Sequence, residues 1–158
     1  MKRLIFLTAA AAALLATPAA AQQRTEIGLL DCTIEGGAGF IVGSQKDLTC
    51  TFTPADRSQP AEAYVGTVTK FGLDVGVTGA TRMSWLVIAP TGNPLPAGSL
   101  AGDYVGASAE ATAAVGAGAN VLVGGSNQTI VLQPVSVQAQ TGLNLAVGVS
   151  SFRLRMAG

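Results

Sequence analysis

Residues Tyr104 to Val123 read YVGASAEATAAVGAGANVLV, and the order of residues within this stretch decides the fold class. Its odd positions hold Val105, Ala107, Ala109, Ala111, Ala113, Val115, Ala117, Ala119, Val121 and Val123. Its even positions are mostly Gly106, Ser108, Glu110, Thr112, Gly116, Gly118 and Asn120. One face is apolar and small while the other is largely polar or glycine, which is the two-residue period of a strand. The rival is a helix, because alanine is the best helix former. Three internal glycines would cost it about 1 kcal/mol each relative to alanine, and the alternation would go unexplained. At about 3.3 Å per residue, one strand of this length would run about 66 Å, too long for a small domain. The stretch is therefore expected to split into two extended pieces meeting near Gly116 and Gly118, or to coil strongly around a barrel.

The same alternation extends outward along the chain. Strands are expected at Glu26–Glu35, Phe40–Gly43, Asp47–Thr53, Ala63–Val75, Thr81–Ala89, Thr129–Val137 and Gly142–Arg155. Pro54–Pro60 is a polar loop, Pro90–Gly102 is the longest loop, and Gly124-Gly125-Ser126-Asn127 is a turn. About eight strands with no long amphipathic helix and no fixed-period repeat predict an all-β domain. A small closed or nearly closed antiparallel barrel is the expected form, with a β-sandwich as the alternative.

Upstream of these strands, Lys2 and Arg3 precede an apolar run from Leu4 to Ala16, interrupted only by Thr8. Pro18, Ala19, Ala20 and Ala21 follow, and then polar Gln22. This order of basic, apolar and small-residue regions is that of a secretory signal peptide with an A-x-A cleavage site. An apolar run of about 13 residues is too short to span a bilayer, which needs about 20. Residues 1–21 are thus expected to be removed between Ala21 and Gln22, leaving 22–158 as one domain of 158 − 21 = 137 residues. The first cysteine is Cys32, so no lipidation cysteine stands at the cut and the mature end is expected to be free. The implied location is the periplasm.

Without Lys2 and Arg3, the 9 basic residues fall to 7 against 9 acidic ones, a net charge of −2. That balance lacks the basic surplus that nucleic-acid binding requires. No later segment is apolar for long enough to make a transmembrane helix. Cys32 and Cys50 are the only cysteines, and in an oxidising compartment a pair is most simply a disulfide. Closing a loop of about 18 residues would contribute roughly 3 kcal/mol by chain entropy. A redox pair would usually be spaced C-x-x-C, and a metal pair would need further ligands.

Histidine is absent from the chain, which removes the commonest general base, the imidazole metal ligand and any serine–histidine dyad. Eight of the 9 carboxylates, Asp31, Glu35, Asp47, Asp56, Glu62, Asp74, Asp103 and Glu110, are spread singly. Asp31 and Glu35 share a strand face about 13 Å apart, beyond the roughly 5 to 9.5 Å that a catalytic pair uses. No catalytic, metal or cofactor-binding residue is therefore assigned, and a non-enzyme is expected. Gly116-Ala117-Gly118 precedes a strand instead of a helix N-terminus, so it does not read as a phosphate loop. Asn127-Gln128-Thr129 matches a glycosylation sequon and also makes a good hairpin turn. Glu110 and Asp74 lie among apolar alternation. Each either faces solvent or points inward, where Arg82, Arg153 or Arg155 could pair with Glu110.

Cys32-Thr33-Ile34-Glu35-Gly36-Gly37, Phe71-Gly72-Leu73-Asp74-Val75-Gly76-Val77-Thr78-Gly79, Gly102 to Val123 and Thr141-Gly142-Leu143-Asn144-Leu145 together resemble the bacterial DUF992 family over nearly all of the mature chain. That family is defined by unknown function, so the resemblance supplies neither mechanism nor site. Gly72 to Gly76 followed by Tyr104 to Val123 is similar, more weakly, to DUF1134 periplasmic barrels and SYLF lipid-binding domains. This second resemblance implies a small barrel and a lipid or envelope component as partner.

Three functional expectations follow. The first is an exported, non-enzymatic envelope protein with a structural or binding role; if it binds a ligand, the apolar face suggests a lipid or another apolar molecule. The second is a small outer-membrane barrel, for which eight strands of about 10 residues suffice, although sparse aromatics and the Arg155-Met156-Ala157-Gly158 end fit it poorly. The third and weakest is a carboxylate enzyme.

Overall fold

A computed structural model describes residues 23–35, 45–70, 80–92, 95–106, 121–138 and 149–158. They form β1 Arg24–Ile34, β2 Gln45–Pro54, β3 Glu62–Lys70, β4 Thr81–Pro90, β5 Gly102–Gly106, β6 Leu122–Gly124, β7 Ile130–Gln138 and β8 Val149–Met156, with one 3₁₀ turn at Ser126–Gln128. The strands close into a barrel in the order β1-β2-β3-β8-β5-β6-β7-β4, and every neighbouring pair is antiparallel. Closure leaves no unpaired edge, and eight strands enclose a space that side chains alone can fill.

The alternation on β2 shows why these residues form strands. Gln45, Asp47, Thr49, Thr51 and Thr53 are exposed, whereas Leu48, Cys50, Phe52 and Pro54 are buried. The β-branched threonines suit the pleated outer surface, and the apolar partners fill the inside. The interior is built from Leu30, Ile34, Leu48, Val68, Met83, Val87, Leu122, Ile130, Leu132 and Leu154 around Tyr64, Trp85, Tyr104 and Phe152. Phe152 stands between two aromatic neighbours. Its ring centroid is 5.7 Å from that of Trp85 and 6.4 Å from that of Tyr104, both in edge-on geometry. Cys32 and Cys50 lie directly opposite each other on β1 and β2 and are joined by a disulfide, with Cα atoms 4.0 Å apart. Both are buried, so the bond belongs to the core.

Close approach requires glycine at Gly66 and Gly28, among others. A Cβ on Gly66 of β3 would lie 1.8 Å from the Arg153 carbonyl oxygen of β8. Gly28 has φ +156°, and a Cβ there would lie 2.4 Å from the Thr53 carbonyl oxygen and 2.6 Å from the Phe52 ring. A proline-associated irregularity lies at β7. Trp85 pairs with Pro134 and Ser84 with Ser136, so Val135 is the extra residue of a bulge and points outward, 60% exposed. Proline has no N–H for the ladder, and a bulge is where an inner strand tolerates it.

The expected division of Tyr104–Val123 is present in its described parts. Its two ends form β5 and β6, which pair antiparallel through Tyr104↔Gly124, Val105↔Val123 and Gly106↔Leu122. Where the two pieces meet lies outside the described residues, as does the expected strand Phe40–Gly43. The facing of the stretch is described at its two ends. Tyr104 and Leu122 are buried in the core, whereas Val105 is 57% exposed and Val123 is partly exposed. Within β5 and β6 the large Tyr104 and Leu122 turn inward and Val105 and Val123 outward, while Val121, just before β6, is buried. The strands expected at Ala63–Val75 and Gly142–Arg155 are described only over β3 and β8.

Candidate functional site

The starts of β1, β3, β5 and β7 and the ends of β2, β4, β6 and β8 share one end of the barrel. Residues 95–101, between β4 and β5, fold across this mouth. Leu100 is buried against the core, Ser99 is buried, and Leu95 packs against the same cluster. The plug is held from three sides. The Tyr104 hydroxyl donates to the Leu100 carbonyl at 2.8 Å, the Ser126 N–H donates to the Ser99 carbonyl at 3.2 Å, and the Gly98 N–H donates to Glu62 Oε2 at 3.2 Å. The same Glu62 oxygen accepts the Tyr64 hydroxyl. Burial, reinforced by that carboxylate, pushes the Tyr64 phenol far above the ordinary tyrosine range. Burial does the same to Tyr104, with a smaller contribution from neighbouring Tyr64.

Beside the plug lies a cleft of about 230 Å³. A β-bulge supplies one wall. On the β1–β4 seam Glu26 pairs with Ile88 and Gly28 with Val87, leaving Ile27 without a partner on β4. Bulges at barrel rims re-aim side chains, and here Ile27 joins Phe52, Pro54, Leu95 and Leu100 in the apolar lining. The Ile27 carbonyl is not lost to the ladder's irregularity, since it accepts the Ala55 N–H at 2.9 Å. Polar groups enter from Gln59, Ser99 and three carboxylates, Glu26, Asp56 and Glu62. The loop after β2 fixes Asp56, whose Oδ1 accepts the Ser58 N–H at 3.0 Å and the Ser58 hydroxyl at 2.7 Å. The backbone bond first, and the hydroxyl second, hold the Asp56 carboxyl below its usual range. No lysine or arginine is among the residues lining the cleft.

A second concavity, of about 450 Å³, lies over β2, β1 and β4. Its polar lining comes from Asp31, Thr33, Thr49, Thr51, Arg82 and Ser84, and the Ser84 hydroxyl donates to Asp31.

The residues singled out by sequence are distributed as follows. Cys32 and Cys50 are brought together as a core disulfide. Asp31 is on the polar outer surface, whereas the Glu35 N–H donates to the Asp47 carbonyl at 3.0 Å. Arg153, one of the arginines available to Glu110, is 2.5 Å from Asp103 on β5 in an exposed ion pair. Glu110, Asp74, Ala21 and Gln22 lie outside the described residues. Asn127 and Gln128 are exposed in the 3₁₀ turn at φ 60° and 53°. Among the described residues no group of three or more histidine, cysteine, aspartate or glutamate side chains is placed to hold a metal ion, and no helix is long and apolar enough to cross a membrane. Sequence reasoning missed Glu26, Ile27, Leu95 and Leu100 as site residues. The apolar Leu95 and Leu100 within a proline- and glycine-rich loop were the available signal that this loop packs inward.

The family model for the protein of unknown function DUF992 matches residues 10–155. The chain belongs to the DUF992 family. No curated protein and no solved structure matches it. The DUF992 chain is thus an eight-stranded barrel with a filled interior and a lined cleft at its plugged mouth.

Proposed function

We propose that this DUF992 chain is an exported, non-enzymatic protein of the bacterial envelope that binds a small apolar or amphipathic ligand at the mouth of its barrel. The observation that carries the reading is the mouth cleft. Its walls are apolar, its rim is polar, and it sits beside a core whose described side chains fill the barrel. A ligand site of this kind combines an apolar surface with a few oriented polar groups. The Lys2-to-Gln22 order supports export, and the absence of histidine supports a non-enzymatic role.

The orientation of the strands favours a water-facing barrel over a membrane-spanning one. Membrane barrels place apolar residues outward and polar ones inward, whereas β2 here does the reverse, with Asp47 and three threonines outside and Leu48, Cys50 and Phe52 inside.

Two measurements test the proposal. Osmotic shock without detergent should release the protein; release only by detergent would overturn a soluble exported form. Native mass spectrometry of protein purified from its own periplasm should show a small-molecule adduct, lost in Ala55→Trp, which fills the cleft. An adduct that survives Ala55→Trp with unchanged occupancy would place the ligand elsewhere and overturn the mouth as its site.

A further inference from the structure

We infer that Met156 is an oxidation-sensitive clasp on the plug, so that conversion of its thioether to the sulfoxide loosens the mouth of the barrel. The inference stands apart from any ligand in the cleft, whose lining does not include Met156. Met156 is the last residue of β8 and pairs directly with Tyr64 of β3. Residues directly opposite on an antiparallel pair share a face, and Tyr64, Phe152 and Leu154 are all buried in the core. The Met156 side chain is therefore on the inner face, at the open end of the wall, and it is 48% exposed. Its backbone is pinned there, because the Ala157 N–H donates to the Ala63 carbonyl at 2.9 Å.

What the side chain meets at the mouth is the plug. A Cβ on Gly98 would lie 3.3 Å from Met156 Sδ, and Gly98 has φ +82°. Glycine suits that left-handed backbone, and its bare Cα lets the thioether pack against it. The N–H of the same residue donates to Glu62 Oε2. Gly98 is thus held from two sides, by a carboxylate on β3 and by a sulfur on β8. Met83 is 1% exposed, and Cys32 is joined to Cys50, so neither competes with Met156 for an oxidant. Oxidation turns a flexible apolar side chain into a polar, chiral one and undoes the contacts it made. With a peroxide as oxidant, a sulfur lone pair takes the terminal oxygen and the O–O bond breaks. The proton on that oxygen passes to the departing hydroxide, and water leaves. Sulfur is oxidised and the peroxide reduced by one electron pair. The sulfoxide oxygen requires hydrogen-bond donors, which solvent supplies and the Gly98 Cα does not. The side chain turns outward, and the plug keeps only its Glu62 hold on Gly98.

Hydrogen peroxide added to the full mature chain tests this, read by peptide mass mapping and by hydrogen exchange. Met156 should gain oxygen at least about tenfold faster than Met83. Exchange at the Gly98 and Ser99 amides should then rise at least about threefold, with the Leu132 amide in the core unchanged. Methionine sulfoxide reductase should restore the slow exchange. Met156→Leu keeps an apolar contact without an oxidisable sulfur, and its plug should exchange slowly before and after peroxide. Peroxide-accelerated exchange in Met156→Leu would assign the effect to another residue and overturn the inference. So would a Met156 sulfoxide that leaves the Gly98 amide unchanged, or oxidation of Met83 in step with Met156.

Discussion

The Glu62 carboxylate, at the first position of β3, accepts the backbone N–H of Gly98 across a sequence gap of 36 residues. This one bond, shared with the Tyr64 hydroxyl, couples the plug to the wall of the barrel. Both donors lose their partner if the side chain is removed.

Glu62→Ala should therefore cost about 1–3 kcal/mol, the usual penalty for leaving donors unsatisfied. Glu62→Gln keeps an acceptor and should cost less. Chemical denaturation measures both, and hydrogen exchange at the Gly98 amide should accelerate in Glu62→Ala. Unchanged exchange there would show that the plug is held without the Glu62 bond.

Tyr64 and Tyr104 are the only tyrosines in the chain, and burial raises both phenols well above their ordinary value of about 10. Their contribution to stability is complete below about pH 10, where tyrosines of the unfolded chain are still neutral. It declines as pH rises past that point, because only the unfolded chain ionises there. Absorbance near 295 nm should show no phenolate until the barrel unfolds. A phenolate signal at pH 10 in protein that keeps its folded circular dichroism would contradict this.

Replacing both cysteines, Cys32→Ala with Cys50→Ala, should lower stability by roughly 2–4 kcal/mol and leave the barrel able to form. The loss combines the released loop of 18 residues with two shortened core side chains. Reductant added to the folded wild-type chain should act slowly, because both sulfurs are buried. Thermal melts with and without reductant distinguish these effects.

Gly66→Ala should be among the most damaging single substitutions, at about 3 kcal/mol or more, since its Cβ would overlap the Arg153 carbonyl and force β3 and β8 apart. Asp103→Ala, one strand away, removes an ion pair whose side chains are 67% and 65% exposed. It should change stability by no more than about 0.5 kcal/mol. Comparing the two by denaturant titration separates backbone contact from surface charge along the β8 seams.

Sequence alternation reveals that a segment has two faces, and β2 shows how far that carries: Asp47 to Phe52 reads as a strand, and its apolar side is the buried one. The cysteine pair was equally legible, because two cysteines permit one connection. Alternation does not say which face turns inward, and Tyr104–Val123 exposes that limit. At its described ends the large Tyr104 and Leu122 of the even side are buried, and so is Val121 of the small apolar odd side. The cleft was harder still. Ile27 reaches it only because the β1–β4 register slips by one residue, a property of the pairing between strands rather than of either strand alone.

The placement of the disulfide also orders the assembly of the molecule. Cys32 and Cys50 are 2% and 5% exposed in the finished barrel, out of reach of any protein oxidant. Their sulfurs have to be joined while β1 and β2 are still an open hairpin, before β4 and β3 cover the two flanks. The bond then records a moment in maturation that the closed wall no longer permits, and a chain that closes around free thiols keeps them reduced.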